Sequence, residues 1–147
     1  MAPLPQGGED EVFAPPGRTQ APLAGQGRAL AVVALGGVLG ASARYGVGLL
    51  LPHSAGTLPL GTLLINVVGG FLIGVLIDAV AGRPLLRPFA VTGILGGFTT
   101  FSTYAVDTEQ LLAAGRLALA GAYLVGTLVG ALAATWLGLA LARRVRR

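Results

Sequence analysis

The sequence has no cysteine, only one histidine, and few charged residues for its length. The absence of cysteine excludes disulfides and thiolate metal sites, and His53 by itself cannot form a histidine metal cluster. Only 11% of the 147 residues are charged and 54% are hydrophobic, whereas a soluble domain of this size needs more polar surface. These shortages point to a membrane protein with a single domain.

Lysine is also absent, so all ten basic residues are arginines, and four of them lie within the last five residues. No aromatic residues are interleaved with them, as they commonly are in a nucleic-acid-binding surface. An arginine-rich flank on the cytoplasmic side of a membrane span explains this pattern better. We therefore expect membrane lipid as a partner and no nucleic acid.

What the sequence does contain is four long uncharged stretches, at residues 29–43, 45–77, 88–106 and 117–142. A helix needs about 20 mostly apolar residues to cross a bilayer. The turn residues at 52–59 divide the second stretch, and a short basic loop lies at 82–87. The pattern predicts an all-α membrane protein with four transmembrane helices, at 29–51, 60–81, from 88, and at 117–141.

The regions outside these spans differ from them in composition. Residues 1–28 contain Pro, Gly, Gln and an acidic run at 9–11, a composition that predicts a disordered N-terminal tail. This tail does not resemble a signal peptide, because its start is acidic where a basic segment is expected. Residues 29–142 form the predicted four-span domain, and residues 143–147 form a basic C-terminal tail.

Glycine is abundant, and two spans carry small residues at steps of four. The second span has a ridge formed by Asn66, Gly70, Gly74 and Asp78, and the fourth has a ridge formed by Gly126, Gly130, Ala134 and Gly138. Residues four apart lie on one face of a helix. Small residues there let helix backbones approach closely in lipid. The two ridges predict tight helix packing, and Asp78 at the end of the first ridge is interpreted as a solvated span end.

The third span contains a polar segment at 96–104, with two adjacent glycines followed by four serine and threonine side chains. A continuous apolar helix gains nothing from paired glycines, each of which costs up to about 1 kcal/mol relative to alanine. Backbone groups freed by a helix break are tolerated within a membrane only where they line a cavity or hold an ion. The segment therefore favours a helix broken at mid-membrane over a polar continuous one.

Three motifs carry a resemblance to a known family: residues 36–45 in span one, 61–71 in span two and 96–104 in span three. They resemble the small bacterial fluoride channels, the Fluc or CrcB proteins, over about 31–142. The resemblance implies an antiparallel dimer in the bacterial cell membrane. Its implied function is passive, selective export of fluoride from the cytoplasm, which reduces fluoride toxicity.

The resemblance implies a fluoride pathway formed by Asn66, Phe101, Ser102, Thr103, Tyr104, Tyr123 and Thr127. Neutral donors suit this role, because a fixed positive charge would hold fluoride too tightly for rapid exit. Aromatic ring edges are electropositive and add to these donors. Without the motif, the two aromatics of span three would be read as lipid-facing, Asn66 as a link between helices, and Thr127 as bonded to its own helix.

Several positions depart from the family or stand at its pore mouth. Tyr104 replaces a family phenylalanine, so its hydroxyl either donates to the ion or points to a neighbouring helix. Ala105 stands where the family usually has serine. Asp107 stands where it usually has glutamate and is predicted, like Arg44, to lie at a pore mouth. Arg44 either attracts anions there or extends to the membrane interface.

The resemblance also implies one metal, a structural Na⁺ that is not transported. By position, its ligands are the backbone carbonyls of Gly96 and Thr99, where the helix breaks of two subunits meet. Oxygen ligands suit a hard cation.

Two other functions remain as alternatives. A small four-span multidrug or cation exporter needs an ionisable carboxylate within the membrane, whereas every acid after the tail is predicted to lie at a span end. A subunit for assembly without transport would not require the polar segment of span three. An enzyme has the least support, because no nucleophile–base pair is evident.

The arginines are distributed unevenly between the two sides of the predicted membrane domain. The side with both termini would hold Arg18, Arg28, Arg83, Arg87, Arg143, Arg144, Arg146 and Arg147, and the opposite side would hold Arg44 and Arg116. This bias predicts cytoplasmic termini. A single chain that forms antiparallel dimers must insert both ways, so the bias suggests a related chain of opposite topology as partner. A homodimer in which the late arginines fail to dictate insertion is the rival.

Overall fold

The computed structural model describes residues 26–146, which form helices joined by short loops and contain no strand. Helix α1 spans Gly27–Leu50 and α2 spans Leu60–Ala79. Helix α3 joins a π-helical segment, Pro88–Leu95, to a short α-helical one, Gly96–Phe98. Helix α4 spans Ser102–Ala113 and α5 spans Leu117–Val145. The predicted N-terminal tail lies outside the described residues, except for residues 26–28.

The prediction of four membrane-spanning segments is confirmed. Helices α1, α2 and α5 and the combined segment Pro88–Ala113 are each long and apolar enough to cross a membrane. Two ends differ from the prediction. Helix α1 begins at Gly27, and α5 continues through Arg143 and Arg144 into the predicted C-terminal tail. Arginine is a good helix former and is favourable in the last turn of a helix, where the backbone dipole is negative.

Helices α2 and α5 pack against each other through their small residues. A Cβ atom at Gly74 would collide with the backbone carbonyl of Thr135, and one at Gly138 would collide with that of Phe71. Gly70 lies as close, since its Cβ would be 2.7 Å from the Ala131 carbonyl oxygen. The predicted close packing is therefore found on both helices. Gly126 is an exception, because a Cβ there would meet nothing within 4 Å.

Helix α1 packs mainly against α3, again by direct backbone approach. A Cβ at Gly40 would collide with the Ile94 carbonyl, and one at Gly97 would lie 2.6 Å from the Gly37 carbonyl oxygen. Gly96 and Gly97 are themselves helical, and the chain leaves the helix only after Phe98. At Gly97 the glycine is thus required by contact with α1, which is a different reason from the one inferred from the sequence.

Two glycines with positive φ form turns at the end of the molecule where His53 lies. At the end of α4, Gly115 has a φ of 71°, and the Arg116 and Gly115 amides donate to the carbonyls of Leu111 and Leu112, each at 2.9 Å. These two bonds form a Schellman motif. Gly56, with a φ of 82°, turns the loop between α1 and α2 close to Ala114, so that this loop lies against the end of α4.

Candidate functional site

The centre of the site is the non-helical stretch between α3 and α4, residues 99–101. Thr99 is extended, with a ψ of 156°. The Asn66 side chain pairs with the backbone of Thr100: its Oδ1 accepts from the Thr100 amide at 2.9 Å, and its Nδ2 donates to the Thr100 carbonyl at 3.0 Å. In a continuous helix the Thr100 amide would donate to Gly96. Asn66 therefore takes the place of a helical hydrogen bond.

Hydroxyl groups cluster where the chain enters α4. The Thr100 hydroxyl accepts from the Thr103 amide at 3.1 Å and donates to the Thr103 hydroxyl at 3.0 Å. The Ser102 hydroxyl lies 3.3 Å from the Thr100 hydroxyl. Thr100 satisfies an amide in the first turn of α4, as a capping residue does. The predicted pathway residues Ser102 and Thr103 thus adjoin a third hydroxyl, Thr100, that the sequence analysis did not single out.

The two predicted pathway aromatics have different environments. The Phe101 side chain is 79% exposed in the single chain, whereas Tyr104 is 9% exposed. The ring centroids are 5.8 Å apart. The Tyr104 hydroxyl donates to the Leu124 carbonyl on α5 at 2.7 Å. Of the two roles considered for this hydroxyl, the structure shows the bond to a neighbouring helix.

A cavity of about 380 Å³ brings four predicted pathway residues together, since it is lined by Asn66, Phe101, Tyr104 and Thr127. Thr99, Thr100 and Thr135 complete its polar lining, and the other lining residues are glycine and aliphatic residues. No charged residue among 26–146 lines it. The Thr127 hydroxyl is buried and has no hydrogen-bond partner among residues 26–146. Buried hydroxyls nearly always have partners, so this one is unusual.

A second cavity, of about 590 Å³, is lined by residues that include Thr100 and Thr103. Its polar lining includes Arg44, His53, Thr62 and Thr100. Thr100 lines both cavities. Arg44, predicted at a pore mouth, therefore faces an opening adjacent to the helix interruption.

Asp107, which is predicted to lie at a pore mouth, is buried in the structure. Its side chain is 4% exposed. The Thr62 and Tyr123 hydroxyls donate to its Oδ2 at 2.6 and 3.2 Å, and His53 Nε2 lies 3.3 Å from its Oδ1. Tyr123, predicted in the pathway, belongs to this cluster and lines neither cavity.

The carbonyls predicted to hold sodium lie on either side of the helix end. The two amides that would bond them in a continuous helix belong to Thr100 and Thr103, and these amides donate instead to Asn66 and to the Thr100 hydroxyl. The carbonyl oxygens of Gly96 and Thr99 are thereby left without their helical donors. Oxygen donors of this kind fit a hard cation.

Asp78 lies away from these cavities. Its carboxylate is 3.3 Å from Arg143, and its backbone carbonyl accepts from Arg146 at 3.0 Å. Exposed ion pairs of this kind stabilise a protein by about 0–1 kcal/mol. The contact is consistent with a solvated span end.

Comparison with known proteins gives a family for this arrangement. The family described as CrcB-like protein, Camphor Resistance (CrcB), matches residues 31–139. The chain belongs to the CrcB-like family. This match includes every predicted pathway residue and both carbonyl positions.

Relatives of this CrcB-like chain are highly similar over most of its length. It is 52% identical over 132 residues to fluoride-specific ion channel FluC 1 of Streptomyces coelicolor, covering 87% of this chain and 82% of the relative. It is 46% identical over 121 residues to FluC of Agrobacterium fabrum, covering 79% of this chain and 97% of the relative. It is 52% identical over 126 residues to FluC 3 of Streptomyces avermitilis, covering 80% of this chain but only 62% of that protein.

Three site residues of the CrcB-like chain were not predicted. Thr62 lies within the span-two motif and Thr100 within the span-three motif. Both motifs therefore indicated functional positions, but only neighbouring residues were predicted from them. His53 had no such signal, because its partner Asp107 lies on another helix.

Proposed function

We propose that the chain is a subunit of a fluoride-selective channel that exports fluoride passively from the bacterial cytoplasm. The observation that carries this proposal is the uncharged cavity in which Asn66, Phe101, Tyr104 and Thr127 meet, with an unpartnered hydroxyl at Thr127. Family membership and the FluC relatives support it. A channel of this kind carries out no chemical reaction.

The lining chemistry suits a small, strongly hydrated anion. The anion must exchange its water for closely placed donors and must still leave, so binding has to be shared among weak sites. The Thr127 hydroxyl and the second hydrogen of the Asn66 amide are neutral donors of this kind. The exposed Phe101 ring supplies an electropositive edge. The adjacent cavity carries Arg44, which raises the local concentration of anions at the opening.

The channel is proposed to be an antiparallel dimer. Phe101 at the helix interruption is largely uncovered in one chain, and a second chain against this face would enclose it. The interruption at 99–101 is placed near the middle of the membrane in this proposal. The paired interruptions of two chains would then hold one Na⁺ through the carbonyls of Gly96 and Thr99, where its charge would make the centre less repulsive to fluoride.

One observation favours the alternative of a multidrug or cation exporter, because Asp107 is a buried carboxylate, as such an exporter requires. The residues around it argue against that function. The opening beside it is lined by Arg44 and His53, and a guanidinium at the entrance repels cationic drugs. We therefore retain the anion channel.

A flux assay tests the proposal. Channels purified from cells that express this chain with its related partner, or this chain alone where it forms homodimers, should release fluoride from liposomes, measured with a fluoride electrode, and should exclude chloride. Phe101→Ile should abolish release, since it removes the ring edge, while Trp136→Ile on the exposed surface of α5 serves as the matched control. Equal flux of the two anions, or no fluoride flux, would contradict the proposal.

Each proposed property of the assembly has its own test. Sodium should be required for stability, so replacing it with N-methyl-D-glucamine should lower the unfolding temperature. The positions of the termini and the partner chain are tested by the labelling experiment in the Discussion.

A further inference from the structure

The loop between α1 and α2 places its histidine against the buried acid of α4. His53 Nε2 lies 3.3 Å from Asp107 Oδ1, and the other carboxylate oxygen accepts from Thr62 and Tyr123. A buried carboxylate is costly unless it is paired. The two hydroxyls are neutral, so His53 is the partner able to offset the charge of Asp107.

The imidazole is also the part of this pair that faces the opening. His53 is 26% exposed and lines the 590 Å³ cavity together with Arg44, whereas Asp107 does not line it. Protons from water therefore reach the imidazole through the cavity that anions would enter. This places a titratable group on the wall of the cavity, together with Arg44 and Thr62.

We propose that the protonation of His53 controls anion passage by setting the net charge of the His53–Asp107 pair; this inference rests on the proposed fluoride conduction. When the imidazole is protonated, the pair is neutral and an anion can enter the cavity lined by Arg44 and Thr100. When the imidazole is neutral, the carboxylate keeps its negative charge and repels the anion. Conduction is then greater at acidic pH.

We attribute this pH dependence to His53 and not to the other ionisable groups around the cavity. Arg44 and Tyr45 on α1 line the same cavity, Tyr123 on α5 contacts Asp107, and Arg116 lies in the turn after α4. Guanidinium and phenol groups ordinarily keep one charge state between about pH 6 and 8, whereas imidazole changes its charge there. Glu109 on α4 is exposed and lines neither cavity.

The experiment compares fluoride efflux from liposomes at about pH 6 and about pH 8, with protein-free liposomes subtracted for leakage of hydrogen fluoride. For the natural chain we expect flux about fivefold higher at the lower pH, the factor that one unit charge at about 4 Å imposes in a water-like dielectric. His53→Gln should give low flux at both values. His53→Arg should give high flux at both, because its charge is permanent.

A double-substitution cycle separates this role from a merely structural one. In the Asp107→Asn background the imidazole still gains a charge on protonation, so the flux should remain pH-dependent, and adding His53→Gln should abolish that dependence. If His53 serves only as a contact for Asp107, Asp107→Asn already removes the contact, and adding His53→Gln should change the flux at neither pH. Unfolding temperatures of each variant in detergent show whether a loss of flux is a loss of fold, and His53→Arg carries the test if His53→Gln does not fold.

The outcomes separate the two proposals. If the natural chain conducts fluoride without a pH dependence, or if His53→Gln or His53→Arg keeps the natural dependence, the role of His53 is overturned and the channel function stands. If channels containing the natural chain, with or without the related partner, conduct no fluoride at either pH, the channel function is overturned together with the role of His53.

Discussion

The side-chain amide of Asn66 binds both backbone groups of Thr100, accepting from its amide at 2.9 Å and donating to its carbonyl at 3.0 Å. The residue is thus a structural link between α2 and the helix interruption. It also remains a candidate fluoride ligand, because an amide nitrogen carries two hydrogens and one of them is left over. The same side chain can hold the interruption open and offer a donor to the cavity that it lines.

We expect Asn66→Ala to reduce both stability and conduction. The substitution leaves the Thr100 amide and carbonyl without their partners, which costs about 1–3 kcal/mol for each buried group. Thermal unfolding in detergent and fluoride efflux from liposomes measure the two effects. Leu64→Ala, an exposed position on the same helix, is the control. An Asn66→Ala protein with the natural unfolding temperature would show that the link is dispensable.

We expect Thr127→Val to reduce conduction without reducing stability, unlike Asn66→Ala, which reduces both. Valine keeps the shape of threonine and removes a buried hydroxyl that has no partner among the described residues. Leaving such a group unsatisfied costs about 1–3 kcal/mol, so the variant should be at least as stable as the natural chain. Its fluoride flux should fall, because a donor is lost from the cavity.

Thr135→Val is the matched control for this prediction. Thr135 lines the same cavity, but its hydroxyl donates to the Ala131 carbonyl of its own helix at 2.8 Å. We expect its flux to stay near the natural value. If both threonine variants lose flux to the same extent, the unpartnered hydroxyl of Thr127 has no special role.

Features set by local sequence were predicted well. Uncharged stretches gave the four spans, because their length and hydropathy alone decide whether a helix can cross a bilayer. The glycine ridge of α2 also packs as its spacing predicted, since Gly70 and Gly74 meet the backbone of α5. On α5 the same spacing predicted close packing correctly at Gly138 but wrongly at Gly126. Spacing defines a face of a helix, but it does not show how far the neighbouring helix extends along that face.

Contacts between distant parts of the chain could not be predicted. The partner of the Tyr104 hydroxyl is a backbone carbonyl, at Leu124, and every residue has a carbonyl, so the sequence contains no sign of it. Asp107 was placed at a span end by the charges around it, yet the loop turned by Gly56 and the adjoining α2 bury it. Its pairing with His53 depends on this loop geometry.

The packing of α2 against α5 leads to a third prediction. Gly74→Ala should destabilise the protein by about 1–3 kcal/mol, the usual cost of overpacking, because the added methyl meets the rigid backbone of Thr135. Gly126→Ala should be neutral or stabilising by up to about 1 kcal/mol, since its Cβ enters open space and alanine favours helix. Thermal unfolding of the two variants in detergent decides between them, and equal losses would mean that the close approach is absent.

The last prediction concerns orientation and rests on the distribution of arginines. Helix α1 begins beside Arg28, the loop before α3 carries Arg83 and Arg87, and α5 ends with Arg143 and Arg144. Asp78 pairs with Arg143 and offsets a part of this charge, but the unpaired remainder still exceeds that of the opposite side, which has Arg44 and Arg116. Excess arginine in short loops and flanks keeps that side in the cytoplasm.

We therefore expect the chain, expressed alone, to insert with both termini in the cytoplasm. The chain has no cysteine, so one cysteine introduced at either terminus is its single thiol and can be labelled from outside intact cells. Neither position should label, whereas a cysteine beside Arg116 should. Under the proposed pairing with a related chain of opposite charge bias, the lone chain also conducts little fluoride until that partner is co-expressed. Labelling of about half of the molecules at the termini, together with fluoride conduction by the lone chain, would mean dual insertion of one chain, because only an antiparallel homodimer requires both orientations in equal numbers.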